Sequence, residues 1–350
     1  MTGVRARAAG FTVAVTGPTG TLGAGLMPLL EADERVAHVV GVARRPFDPA
    51  SRGWTKTDYR QGDVRDPGVL ATAFRGVDVV VHLAFSVAGT APRADLRAVN
   101  VDGTLTVFRA ARSAGVARFV YASSVAAYGF HADNPLAMTE DQPVRPAARL
   151  FYARQKAELE VRLREENGGC TGPPALYLLR PSIVLGPHTV GAKTLPGPLA
   201  PLARLLAGGA RRLPVPMAVP ALPMQFVHED DVGRALLLCV LGAGPPGAYN
   251  IAGEGVVTAV DVARELGALV LPLPPGPAWA VARAVAALPF LPPFAEWAEA
   301  LAHPAIMDTT RARTELGWRP AFTGIGALRA ALGIREPHRT APSPVPPPPR

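Results

Sequence analysis

Residues Val13 to Gly23 read Val-Ala-Val-Thr-Gly-Pro-Thr-Gly-Thr-Leu-Gly, a short β-branched run followed at once by three glycines spaced three apart. That order describes a strand, a tight turn and the opening of a helix. Gly17 permits the turn, Gly20 lets phosphates approach the backbone, and Gly23 lets the helix pack close to the sheet. The helix beginning near Leu22 offers unpaired N–H groups and the positive end of its dipole to an anion. Gly17, Thr19, Gly20, Thr21, Leu22 and Gly23 are therefore candidate contacts for a dinucleotide pyrophosphate. A glycine turn alone also occurs in ordinary strand–helix connections, so its weight comes from the strand before it and the helix after it.

The first half of the chain repeats this alternation. Candidate strands at 12–16, 38–43, 58–61, 77–82, 118–123 and 176–180 are separated by helical stretches beginning near Leu22, Pro67, Arg97 and Leu150. Runs this apolar belong in a parallel sheet covered on both faces, so the expected class is α/β, a doubly wound parallel Rossmann sheet. After Arg180 the regularity is lost. Residues 186–223 are rich in Pro and Gly around an apolar, helix-like piece at 199–206, and a second irregular apolar stretch runs over 269–304. Between them, 226–240 reads as a helix and 249–251 as a strand returning to the sheet. We expect a dinucleotide-binding domain over 11–185, joined by 224–264. A smaller, discontinuous C-terminal substrate lobe from 186–223 and 265–332 should sit over the carboxyl ends of the strands. Residues 1–10 should form a flexible N-terminus and 333–350 a disordered Pro-rich tail.

The 350 residues carry a formal charge of +8, which raises nucleic acid as a partner, but the arginines are scattered and no basic run is interleaved with aromatics. Nucleic-acid binding is excluded on that ground. No apolar core suits a signal peptide and no stretch reaches a membrane span. The longest, 277–292, is interrupted by Arg283 and bounded by prolines, and reads as a buried or interfacial helix. Two cysteines, Cys170 and Cys239, fit a reducing, cytoplasmic setting. No His or Cys pair has metal-ligand spacing, so no metal is expected. His82 and His228 should orient backbone.

A dinucleotide site preferring NAD commonly ends its second strand with an acid, about 20 residues beyond the turn, to bind the ribose hydroxyls. Here that strand ends Val40-Gly41-Val42-Ala43-Arg44-Arg45. A small residue followed by a guanidinium suits a ribose 2′-phosphate, which favours NADP over NAD and makes Arg44 a candidate contact. Alternatively, the two arginines are solvated loop cations.

Tyr152-Ala153-Arg154-Gln155-Lys156 places a phenol and an ammonium four residues apart, on one helical face. A tyrosine of ordinary pKa about 10 is a poor acid or base near neutrality, and a nearby cation should lower it by favouring the phenolate. Tyr152 could then exchange the proton of a carbonyl oxygen while hydride moves to or from a nicotinamide. Phe119-Val120-Tyr121-Ala122-Ser123-Ser124 ends a strand with two hydroxyls where open α/β sheets bind ligands. Ser124, rather than Ser123, is the candidate for holding the substrate oxygen against Tyr152; serines at strand ends also serve as plain turn formers.

Together these features resemble the extended short-chain dehydrogenase/reductases, the NAD-dependent epimerase/dehydratase family. The likeness runs from about Val13 to Leu332. It includes Gly62-Asp63-Val64-Arg65-Asp66, Val81-His82-Leu83-Ala84, Asn100-Val101-Asp102-Gly103-Thr104, Leu179-Arg180-Pro181, the 226–232 segment and Leu316-Gly317-Trp318. The resemblance implies that Asp63 and Val64 flank the adenine and that Leu83 and Ala84 run along the cofactor. It likewise implies that Asn100 supports the active-site hydrogen bonds, that Lys156 also binds the nicotinamide ribose, and that Pro181, Ile183 and Val184 pass beside the nicotinamide.

Two departures narrow the chemistry. Nucleotide-sugar relatives often place Arg-Asp before the aromatic-Val-His segment, where this chain has Met224-Gln225, and an Asn near Ser182-Ile183; Met224 cannot hold a diphosphate. Dehydratases carry Asp-Glu after the fifth-strand hydroxyl, where this chain has Val125-Ala126, so dehydration lacks its second acid–base pair. The apolar lobe suits a small-molecule substrate with a hydrophobic body, provided those stretches are not simply core. The expected function is NAD(P)-dependent hydride transfer, with sugar epimerisation and a non-catalytic dinucleotide sensor as alternatives. Relatives commonly dimerise through helices corresponding here to 97–114 and 150–166, which makes a homodimer possible.

Overall fold

The computed structural model describes residues 10–87, 92–147, 149–168, 172–190, 216–287, 296–297, 300 and 303–334. The expected helix-like piece at 199–206, Cys170 and most of both termini lie outside them. Six strands come from the first half: β1 (Phe11–Thr16), β2 (Val36–Ala43), β3 (Thr57–Gln61), β4 (Val79–His82), β5 (Arg118–Ala122) and β6 (Ala175–Pro181). Four short ones follow outside the main sheet: β7 (Ile183–Leu185), β8 (Pro216–Pro220), β9 (Pro223–Met224) and β10 (Phe226–His228). Then β11 (Gly247–Ile251) completes a seven-stranded sheet in the order β11-β6-β5-β4-β1-β2-β3, with every pairing parallel.

Strand residues alternate between two cores because successive side chains point to opposite faces. Val13, Val15, Val79, Val81, Val120, Tyr177 and Leu179 enter one, against Leu26, Met27 and Leu30 of α1 (Thr21–Ala32). Ala14, Val80, Phe119, Tyr121, Leu176 and Leu178 enter the other. That second face is covered by α2 (Pro67–Ala73), α4 (Gly103–Ser113) and α5 (Phe151–Asn167). The helix expected from Arg97 begins earlier and is broken: α3 (Arg93–Arg97) runs through a π turn at Ala98–Asp102 into α4.

Beyond β7 come α6 (Pro187–Val190) and α7 (Glu229–Leu241), the latter lying against α1 at very close range. A Cβ on Gly25 would stand 2.3 Å from the Glu229 carbonyl oxygen, and one on Gly233 would stand 2.2 Å from that of Gly25. Residues 226–240 are thus not one helix. Phe226, Val227 and His228 pair with β7, and the His228 side chain caps α7 by accepting from the Asp230 amide.

The chain leaves the main sheet at Ile251. Here β12 (Val257–Thr258) pairs with β9, and α8 (Ala259–Glu265) packs on β8 and β13 (Leu269–Leu273), so 252–264 builds the smaller lobe, unlike the expected return to the sheet. The stretch 269–304, expected to be irregular around a buried or interfacial helix at 277–292, contains the unexpected strand β13 and, near the expected helix, α9 (Pro275–Ala287). No described side chain of α9 is buried, and Val281 is 64% exposed. The chain returns through α10 (Thr310–Glu315) to α11 (Gly324–Ala331), which packs on β10. Buried Trp318 donates to the Asp231 carbonyl, while the Asp231 carboxylate accepts from the Ala321 and Phe322 amides, fastening this end to α7.

Candidate active site

Strand order reverses between β1 and β4, and there the carboxyl ends of the strands meet the smaller lobe around a cavity of about 570 Å³. That volume suits a small ligand. Gly17, Gly20, Thr21 and Leu22 line one part of it, and Ser124, Tyr152 and Lys156 another. Leu83, Pro181, Ile183 and Val184 connect them, and Met224, Trp279, Trp297 and His303 belong to the smaller lobe. A second, more open hollow near Arg164 and Pro173 lies at the amino ends of the strands, away from these groups.

The turn after β1 has the shape needed to receive phosphates. Gly17 adopts φ +74°, a left-handed conformation that side chains rarely take, and its amide is fixed by the Val42 carbonyl. Gly20 caps α1 without any side chain, and a Cβ there would meet nothing closer than the Gly17 carbonyl at 3.4 Å. A bare helix start facing a cavity fits the pyrophosphate of a dinucleotide. Gly23 differs from expectation. Its added Cβ would strike the Pro18 carbonyl at 2.0 Å, so it keeps the turn itself tight, and the close helix approach belongs to Gly25 and Gly233.

Residues Tyr152 and Lys156 share one face of α5 and line the cavity, Lys156 buried and Tyr152 partly buried. Their relation is not the expected one. Lys156 Nζ donates to the Ala122 carbonyl at 2.7 Å and the Tyr121 hydroxyl at 3.1 Å, and lies 3.7 Å from the centroid of the Phe85 ring. Burial lowers its pKa to about 7, against a smaller opposing pull from Glu160. Tyr152 is raised rather than lowered: burial disfavours its phenolate, and only a hydrogen bond with Ser124 works the other way. The ammonium sits beside the Tyr152 ring, 5.8 Å from its centroid.

The two serines both line the cavity and differ in their partners: Ser124 reaches Tyr152, whereas Ser123 donates to Glu160 at 2.5 Å. Glu160, one turn beyond Lys156, pairs with Arg180 at 2.6 Å, and both side chains are fully buried. Burial alone would lower Arg180, but hydrogen bonding and attraction from Glu160 hold it above the usual range. Arg180 also donates to Tyr128, whose hydroxyl reaches Asn250. A buried polar network therefore braces the underside of α5.

The other expected positions divide. Asn100, in the π turn, accepts from the Ser86 amide and donates to the Ser86 carbonyl and to Gln155, so it fixes the cavity-lining segment carrying Phe85. Asp63 is engaged bidentately by Arg65, which holds its carboxyl below the usual range, and Val64 is packed in the core. Arg44 is exposed at the end of β2; Thr19, Gly23 and Ala84 complete the turn region without lining the cavity. His82 bonds the hydroxyls of Thr16 and Thr104 rather than backbone, and burial lowers it to about 3. Among the described residues, no group of three or more His, Cys, Asp or Glu could hold a metal, and no helix is long and apolar enough to cross a membrane.

Sequence reasoning missed Glu160, although its spacing from Lys156 repeats that of Lys156 from Tyr152. It also missed Phe85 and Trp297, whose meeting at Tyr152 joins positions far apart in the chain.

Residues 13–252 match the family described as NAD dependent epimerase/dehydratase. An uncharacterised protein of Mycobacterium tuberculosis is 30% identical over 342 residues, covering 93% of this chain and 86% of its own. Among solved structures, the Bordetella bronchiseptica enzyme WbmG in complex with NAD superposes with a TM-score of 0.69 at 20% identity, covering 94% of each chain. UDP-glucose 4-epimerase of Thermotoga maritima gives 0.69 at 19%, covering 92% of this chain and 98% of that one. Such structural likeness establishes a shared fold. The sequence match extends from the glycine turn to the last strand of the sheet, and by it the chain belongs to the NAD-dependent epimerase/dehydratase family, NAD(P)-binding enzymes of the extended short-chain dehydrogenase/reductase type.

Proposed function

We propose that the protein is an NADP-preferring oxidoreductase that reduces a carbonyl of a hydrophobic small molecule, with Tyr152 as the acid. The observation carrying this reading is the convergence of Ser124, Tyr152, Lys156 and the glycine turn on one cavity. A nicotinamide bound there supplies the hydride. Tyr152, kept protonated by burial, donates its proton to the carbonyl oxygen as the alcohol forms. Ser124 steers that oxygen by bonding the same phenol. Lys156, held by Ala122 and Tyr121, lines the same cavity and would bind the nicotinamide ribose.

A hydrophobic substrate is supported by the lining, to which Phe85, Phe130, Ile183, Met224, Trp279 and Trp297 contribute and, among the described residues, no arginine does. The nucleotide-sugar epimerase named above makes sugar epimerisation the second reading, but Met224 and Ile183 give a diphosphate nothing to bind. For NADP, exposed Arg44 and Arg45 follow β2, and their carbonyls are held by Gln61 and Tyr59. The test combines fluorescence titration with NADPH and NADH and turnover of hydrophobic ketones beside UDP-sugars. Tyr152→Phe should lower ketone reduction by roughly 10²–10⁴-fold while NADPH still binds. Turnover of UDP-sugars alone would replace this reading with the second.

A further inference from the structure

The cavity contains an aromatic arrangement that proton and hydride transfer do not require. Trp297 lies along the Tyr152 ring, with centroids 5.9 Å apart and planes inclined by 26°. Phe85 meets the same ring edge-on at 5.6 Å and 89°. Phe130 and Trp279 line the cavity as well. The neighbouring titratable group on the lobe side is His303. Burial, Arg283 and His131 all push its pKa below the ordinary value, so near neutrality it presents an uncharged ring.

Trp297 is also tied to the catalytic helix. Its neighbour Glu296 forms an ion pair with Arg93 of α3, and its second carboxylate oxygen lies 3.5 Å from the amide of Phe151, the first residue of α5. A carboxylate there complements the positive helix end. The Arg93 guanidinium in turn covers the Phe151 ring at 5.7 Å. The indole is thereby held at a set position next to Tyr152 by groups from the main domain.

We propose that Trp297 is a specificity-determining residue, selecting a flat, uncharged ring system bearing the reacting carbonyl, an aromatic or fused-ring ketone. This rests on the reductase reading for the fate of the carbonyl, but not for the binding preference. Aromatic rings attract one another in offset or edge-on arrangements at 4.5–7 Å, and a flat ring entering beside Trp297 extends the existing stack. A puckered, saturated body of equal size fills the cavity without that gain. A charged body meets a wall that cannot replace its hydration.

The test measures binding, without turnover, to the full chain saturated with NADP⁺, which cannot reduce a ketone. Two probes are compared by calorimetry: 2-acetylnaphthalene and the saturated 2-acetyldecalin. The wild type should prefer the flat ketone. Trp297→Leu should weaken that ketone by roughly fivefold to tenfold and leave the saturated one within about twofold, and Trp297→Phe should restore most of the loss. Unchanged NADP⁺ affinity, followed in parallel, establishes that each variant is folded. Equal losses for both ketones, or no loss for either, would overturn the proposal. Normal ketone preference without NADPH-dependent turnover would count against the reductase reading and leave the role of Trp297 standing.

Discussion

The main sheet and the smaller lobe are built from equally apolar sequence, yet they bury it very differently. Every residue of β4 is buried, and β1 and β5 fail only at their first residues. In the lobe, by contrast, Leu269, Leu271 and Leu273 of β13 are 59%, 62% and 41% exposed. The sheet has helices on both faces, so each strand residue meets a partner whichever way it points. Among the described residues the lobe pairs its strands two at a time, and it joins the body through individual tethers such as Glu296 on Arg93 and Gln225 on the backbone of Met307. The proposed acid–base groups belong to the first kind of structure and most of the walls that would discriminate substrates to the second.

The sharpest way to break this contrast is to remove one carboxylate from each side. Glu160→Leu strands a fully buried Arg180 and should cost about 3–5 kcal/mol in urea unfolding. Glu296→Leu releases an arginine whose side chain is already 55% exposed and should cost about 1 kcal/mol or less. Similar losses from the two would mean that the lobe is as firmly built as the sheet.

Adding a methyl group probes the same difference through packing. Gly25→Ala drives a Cβ to 2.3 Å from the Glu229 carbonyl and should destabilise by roughly 2–3 kcal/mol as α1 and α7 part. At Gly276, in the first turn of α9, a Cβ meets nothing within 4 Å, and alanine there should stabilise by up to about 1 kcal/mol.

A further expected effect is one of pH. Lys156 has a pKa of about 7 in the folded chain against 10.5 ordinarily. Between those values the unfolded chain holds more protons, so this group makes stability rise with pH through that window and withdraws it as pH falls towards 7. Thermal unfolding of the wild type should therefore gain roughly 2–4 °C relative to Lys156→Met between pH 7 and pH 9. Parallel curves for the two proteins would show that Lys156 is not titrating as a buried amine.

The same contrast explains what was legible in the sequence. Strands expected at 38–43, 58–61 and 118–123 appear within two residues of their places, because an apolar run bounded by turn residues is a local signal. Lys156, Tyr152 and Ser124 were readable because helical spacing and a strand end decide which way they face. The electrostatics were not. Four-residue spacing brings an ammonium near a phenol, but burial, the Ala122 carbonyl and the Phe85 ring decide what each group does there. In the lobe, β13 escaped notice because Pro272 reads as a breaker, and the helix expected from Pro277 begins two residues earlier, because Pro275 and Pro277 sit in the first turn of α9, where a missing amide costs nothing. The two-residue strands β9 and β12 carry no periodicity at all.

One consequence concerns the π turn at Ala98–Asp102. Its extra residue sets the rotational phase at which Asn100 reaches Ser86, and with it the ledge on which Phe85 stands. Since each residue of a helix advances the side chains by about 100°, deleting one position there would swing the amide away from the cavity while leaving the composition of the helix almost untouched. The shape of the candidate-site floor thus depends on a count of residues as well as on the Asn100 side chain, and this stretch should tolerate no change of length.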